Sequence, residues 1–188
     1  MGFQIESGTG NGTLAAVNEE NMLKTICITS SSEHHTNHDH GRSLNLLFKQ
    51  QSAASADNCI LYFQNTSSQF DVCIEGVSLY VSQACEVYFK IKDLGTPGGV
   101  LTTLTPVNLN SSSGYQAEAL TYSGADITGL SSGVIFERLK YVGETSSSPF
   151  NFEQDLILGP NTAMTIYVDT ASTNIVGTVV FNYHNIGF

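Results

Sequence analysis

From Met22 onward the chain alternates apolar and polar residues in short runs, separated by clusters of Gly, Ser, Asn and Pro. A period of two puts successive side chains on opposite faces of an extended strand, and no window of about 11 residues carries the spacing of an amphipathic helix. The runs can be taken by face. Lys24-Ile26-Ile28 alternates with Thr25-Cys27-Thr29, and Leu44-Leu46-Phe48 with Asn45-Leu47-Lys49. Cys59 to Asn65 and Asp71 to Val81 follow, joined by Thr66-Ser67-Ser68-Gln69, and that pair reads as a hairpin. Within the second run Val72-Ile74 and Val77-Leu79-Val81 fall on opposite parities, with Gly76 where the parity changes. A β-bulge there returns both sets to one face.

Cys85 to Lys92 forms the next run and ends at the turn Gly95-Thr96-Pro97-Gly98-Gly99. From Val100 to about Ser132 the alternation weakens, which predicts loops with short strands. Order returns in Val134 to Val142, Phe150 to Leu158, Met164 to Asp169 and Ile175 to His184. Both faces of the last run are largely apolar, as expected of a central strand or of one whose outer face meets another subunit. Residues 1–21, with Gly8, Gly10 and Gly12, show no sustained period and read as a flexible N-terminal arm before a single domain over 22–188. The expected fold is all β: a two-sheet antiparallel sandwich of the jelly-roll kind.

Composition narrows the function. Charged residues are 13% of the chain, and 7 basic against 17 acidic residues give a formal net charge of -10. With no basic run, binding to nucleic acid is not expected, since that affinity comes from neutralising phosphates with Lys and Arg. An anionic membrane surface would repel the chain, and no apolar run approaches the ~20 residues of a membrane span. Residues 1–8 lack the basic and apolar segments of a secretory signal, so synthesis and folding in a cytoplasm are expected. Cys27, Cys59, Cys73 and Cys85 contain no CxxC pair. Cys59-Leu61-Phe63 and Cys85-Val87-Phe89-Ile91 read as apolar faces, so buried free thiols are expected rather than disulfides.

Candidate chemistry concentrates in one place. Four of the five histidines, His34, His35, His38 and His40, lie with Asp39 and Arg42 in the stretch Glu33 to Arg42. His38 and His40 share a face of an extended segment, and such a pair can bind a metal ion, for instance on a threefold axis, or act as a pH switch. The plainer account is a polar segment whose imidazoles hold a subunit contact. No metal or other cofactor is expected, and no catalytic residue stands out. There is no GxSxG, and Glu137, Glu144, Glu153 and Asp155 read as solvated strand edges before they read as a glycosidase pair. Tyr115 and Tyr122 could offer a sugar-stacking platform, although the chain has no tryptophan.

The stretch Ser30 to Ser43 and the segment Phe150-Asn151-Phe152-Glu153-Gln154-Asp155-Leu156-Ile157-Leu158 resemble small virion structural proteins of tailed bacteriophages. The resemblance covers most of the chain after the arm. It implies a β-sandwich that assembles as a homo-oligomer, a homotrimer, on the virion, made in the bacterial cytoplasm. The function it implies is that of a capsid decoration or cement protein bound to the major capsid protein. The alternative is a receptor- or carbohydrate-binding head of a phage tail or fibre, with its ligand site in the Val100 to Ser132 region.

Overall fold

A computed structural model describes residues 40–131, 133–146 and 150–185. The chain divides into two units, Met1–Ser31 and Ser32–Phe188, and every described residue belongs to the second. The expected arm and the run from Lys24 to Thr29 lie outside the described residues.

The domain is almost entirely β. Its strands are β1 (Ser43–Gln51), β2 (Asn58–Asn65), β3 (Phe70–Val81), β4 (Cys85–Ile91), β5 (Leu94–Gly98), β6 (Leu101–Thr103), β7 (Val107–Asn108), β8 (Ala119–Gly124), β9 (Thr128–Ser131), β10 (Val134–Tyr141), β11 (Thr145–Ser146), β12 (Phe150–Leu158), β13 (Ala163–Val168) and β14 (Asn174–Asn185). Sheet I runs β11-β3-β14-β1-β7, with β12 also against β3, and sheet II runs β10-β4-β13-β2-β8-β6. All the ladders are antiparallel, and the early strands pair with late ones in reverse order: β1 with β14, β2 with β13, β3 with β12, β4 with β10. A long two-stranded ribbon rolled into two facing sheets has this pairing, so the expected jelly-roll sandwich is the fold.

The core lies between the sheets. Leu44, Leu46 and Phe48 from β1 and Val179, Phe181 and Tyr183 from β14 face Leu61 and Phe63 from β2 and Met164, Ile166 and Val168 from β13, all buried. Phe63 and Phe181 meet edge-on across the layer, 4.9 Å between ring centroids, an arrangement contributing about 0.5–1.5 kcal/mol beyond area burial. On β3 the register to β14 shifts between Val180 and Phe181, so that Glu75 is the extra residue beside Gly76. As the sequence predicts, Val72, Ile74, Val77, Leu79 and Val81 all reach the core.

Three sequence expectations are corrected. Gly95 to Gly98, read as part of a turn, belong to β5, which pairs with β9. β2 and β3 are not a hairpin, because they lie in opposite sheets. The connection is a corner built on Asn65, whose Nδ2 donates to the carbonyls of Phe70 (2.8 Å) and Leu158 (2.9 Å) while Oδ1 accepts from Ser67 N–H (3.0 Å). A fully satisfied buried amide lets the chain change sheets without orphaning backbone groups. Cys59 does not share a face with Leu61 and Phe63. The register between β13 and β2 shifts at Ile60, so Ile60 joins the core and Cys59 turns to the outer face of sheet II.

That outer face has a cover, which gives the Val100 to Ser132 region more structure than its composition suggests. β6 and β8 extend sheet II, and β5 and β9 pair with each other. Cys59, Tyr62, Ile127 and Ala163 form a second buried cluster with Leu101, Leu120, Tyr122, Leu130 and Tyr167 around it. Ile127 N–H donates to the Cys59 carbonyl at 2.8 Å, tying the excursion to β2.

Sheet I tolerates no side chain at one place on its central strand. A Cβ on Gly177 would stand 2.3 Å from Cζ of buried Phe48 and 2.7 Å from Cδ2 of Leu79. Gly177→Val is therefore expected to destabilise the domain by about 1–3 kcal/mol through overpacking, whereas Gly143→Ala, at a position with no atom near, leaves it unchanged. Urea unfolding of the two variants checks this, and equal midpoints would refute the packing argument.

Candidate functional site

Of the six residues singled out in the histidine-rich stretch, His34, His35, His38 and Asp39 lie outside the described residues. His40 is exposed just before β1, and Arg42 is half-buried at the end of the sandwich. Arg42 shares the parity of Leu44 and Leu46, so its side chain turns toward the interlayer. Its guanidinium carbon lies 4.2 Å from the centroid of Phe70 and 5.7 Å from that of Tyr115, and Nη1 donates to Asn185 Oδ1 at 3.3 Å. Tyr115 packs edge-on against Tyr183 (5.4 Å) and Phe70 (6.3 Å). Arginine over aromatic faces caps the core with a charge that stays near water, an arrangement contributing about 0.5–1 kcal/mol at exposed sites.

The backbone beneath Arg42 is clamped. Gly41 is buried with φ +58°, and a Cβ there would collide with Ser113 Oγ at 2.3 Å. Its carbonyl accepts from Asn108 Nδ2 (2.7 Å) and Ser113 Oγ (3.0 Å), and Asn108 Nδ2 also donates to the Tyr115 carbonyl (3.0 Å). The polar Asn108 to Tyr115 loop thus fixes the point where the histidine-rich stretch enters β1. Sequence spacing gave no sign of this partnership.

Two phenols and one imidazole around the clamp are pushed toward their neutral forms. Burial, then the nearby Glu118, push the Tyr115 phenol up to about 12 against the opposing pull of Arg42. Burial likewise raises Tyr183. His184, on the outer face beside Asp71, is lowered from 6.5 by burial and by Arg42, with Asp71 opposing and His40 adding.

A second polar network sits on the outer face of sheet II. Asp93, 2% exposed, accepts hydrogen bonds from Tyr167 Oη (2.7 Å) and Thr165 Oγ1 (3.0 Å). Tyr167 stacks on Tyr88 with centroids 5.1 Å apart, and Lys90 Nζ stands 3.8 Å over Tyr167 while Arg138 stands 5.1 Å over Tyr88. Arg138 also pairs with Glu86. Each ring of the stack thus has a cation within cation–π distance. Burial raises the Cys59 thiol, and Asp93 raises it further. Burial and Glu75 push Cys73 up to about 11, and burial and Asp169 do the same for Cys85. A nucleophilic thiol needs the opposite shift, toward thiolate.

Among the other candidates the side chains of Glu153 and Asp155 lie outside the described ones, and those that are described do not converge. Glu137 accepts from Arg138 N–H (2.8 Å) on β10 in sheet II, whereas Glu144 accepts from the Tyr80 hydroxyl beside sheet I. Tyr115 belongs to the Arg42 cluster and Tyr122 to the cover of sheet II, so they form no shared platform. Asn65, first residue of a sequon, is buried and fully bonded. Among the described residues no group of three or more His, Cys, Asp or Glu side chains could hold a metal ion. Sequence reasoning missed Asp93 and Glu75, both buried. Glu75 does stand at the parity change, where a bulge hides a side chain, and its carboxylate accepts from Asn182 Nδ2.

Compared with family models, curated proteins and solved structures, the chain has no match.

Two measurements check the electrostatics. His184 has a folded pKa below its unfolded value of 6.5, so its contribution to stability is present above pH 6.5 and lost as pH falls below it. His184→Gln is expected to flatten the fall of urea stability below pH 6.5, and an unchanged slope would refute the assignment. Iodoacetamide at pH 8 followed by peptide mass mapping is expected to leave Cys59, Cys73 and Cys85 unlabelled until urea unfolds the domain; rapid labelling of any of them in native protein would contradict their burial.

Proposed function

We propose that this protein is a structural component of a phage virion, a capsid decoration or cement protein. It binds the major capsid lattice as a homo-oligomer, a trimer in the form the resemblance implies, and works at the capsid surface. The observation that carries this reading is β14. It is the central strand of sheet I, and while Ile175, Val179, Phe181 and Tyr183 fill the core, Val176 and Val180 stand half-buried on the outer face. Apolar side chains on the outer face of a sheet suit a surface that meets another protein.

The chemistry of the described residues also supports an assembly role. The thiols with resolved shifts and the phenols at both polar networks are pushed toward their protonated forms, opposite to the activation that catalysis uses. A rigid jelly roll linking capsid subunits stabilises a shell by many weak contacts acting together, since each bound copy raises the effective concentration of the next contact.

Adding the purified protein to capsids that lack it is expected to give saturable attachment and to raise the temperature at which the shells rupture, followed by dye access to packaged DNA. Attachment to host cells or glycans, with no effect on capsids, would replace this reading with that of a receptor-binding head.

A further inference from the structure

The two sheets end in four edges among the described residues, and three of them are blunted. β10 carries Glu137, Arg138 and Lys140 and a register shift at Phe136. β6 is three residues long. The ladder of β12 to β3 breaks between Asn151 and Leu156. Charges, short strands and bulges are the devices that keep an edge from joining another chain.

The fourth edge differs. β7 pairs with β1 only where Asn108 and Val107 face Leu44 and Asn45, so among the described residues Leu46 to Gln51 have a sheet neighbour on the β14 side alone. Beside this edge Leu47 and Val107 are each 65% exposed and Leu109 is 50% exposed. The register sets Val180 opposite Asn45 and Val176 opposite Lys49, so the half-buried valines of β14 continue the patch across the outer face.

Charge points to the occupant. Lys49 is the only Lys, Arg, Asp or Glu in β1, β7 and β14, in a chain of formal net charge -10. A second copy brings the same negative charge, and two such molecules meet at least cost where neither presents a carboxylate. A largely apolar face without carboxylates is also suited to contact between identical subunits, Lys49 being the one charged side chain of its strands. β1 and β14 at ~4.8 Å spacing over about nine residues at ~3.4 Å, with the two residues of β7 beside them, give roughly 330 Å² in plan, so the strands themselves supply part of the ~800 Å² that each partner buries in a standard interface.

We infer that the outer face formed by β1, β7 and β14 is the contact through which copies of this chain associate. The inference rests on the homo-oligomer part of the proposed function and names the surface it uses. Leu47 and Val107 are its anchors, and the edge of β1 that has no sheet neighbour among the described residues lies within it.

Sedimentation velocity of the full chain tests it. The unaltered protein is expected to sediment as an oligomer at micromolar concentration, and the double variant Leu47→Asp/Val107→Asp as a monomer with an unchanged circular dichroism spectrum. The milder pair Leu47→Asn/Val107→Thr, for use if the first fails to fold, is expected to weaken association at least tenfold. Val134→Asp/Ile135→Asp, on the blunted β10 edge, is expected to leave the oligomer intact. A monomeric unaltered protein, or a folded patch variant that still assembles as before, would overturn the inference. A monomer that nonetheless attaches to capsids would overturn it while leaving the cement reading standing. An oligomer that the patch variants dissociate but that ignores capsids would support it and sink the cement reading instead.

Discussion

A single dry layer between two sheets is the constraint on which the rest of this molecule depends. Each strand must deliver an apolar side chain to that layer at every second residue, and any slip in parity would place polar groups in it. The chain meets the constraint with local irregularities as well as regular alternation. Glu75 and Ile60 are the extra residues of two register shifts: the first resets the parity of β3 so that residues on both sides reach the core, and the second brings Ile60 itself into the core beside Leu61. The displaced groups are then absorbed elsewhere: Glu75 against Asn182 on the outer face of sheet I, and Cys59 in the small cluster outside sheet II.

Much of this was legible along the sequence, because parity is a local property. The change of parity around Gly76 located one bulge, and Cys85, Val87, Phe89 and Ile91 share the face that their spacing assigns. The second bulge was invisible, since Cys59, Ile60, Leu61 and Phe63 are all apolar and no polar residue marks the slip. Pairing was also illegible. Two strands joined by a short polar link look like a hairpin whether the link stays in one sheet or crosses between two, and only the bonds of Asn65 to Phe70 and Leu158 decide which. Within the stretch that carries most of the histidines, the sequence marked Arg42 as a candidate without showing that parity turns it inward, or that Asn108 and Ser113 anchor its neighbour.

The polar networks share a physical character with the core they border. Asp93 accepts from two hydroxyl donors, Arg42 lies against aromatic faces and donates to an amide, and the thiols are pushed toward their protonated forms by burial with neighbouring carboxylates adding. Such arrangements keep polar groups satisfied while fixing where loops attach, so they specify one arrangement of the excursion over sheet II and of the Asn108 to Tyr115 loop. On the outer face of sheet I a network of this kind joins Ser43, Asn182 and Glu75, whereas Leu47, Val107 and Leu109 further along the β1 side are exposed.

The position of β14 bears on how the molecule is made. Among the described residues it is the last of fourteen strands, yet it lies between β1 and β3 at the centre of sheet I, with Ser43 paired to Asn182. While a ribosome is still extending the chain, β1 and β3 have no strand between them, so sheet I cannot close before the residues of β14 have left the exit tunnel. The decisive step in folding this domain therefore waits for β14, and until then the nascent chain exposes the inner edges of β1 and β3 to chaperones or to neighbouring chains on the same message.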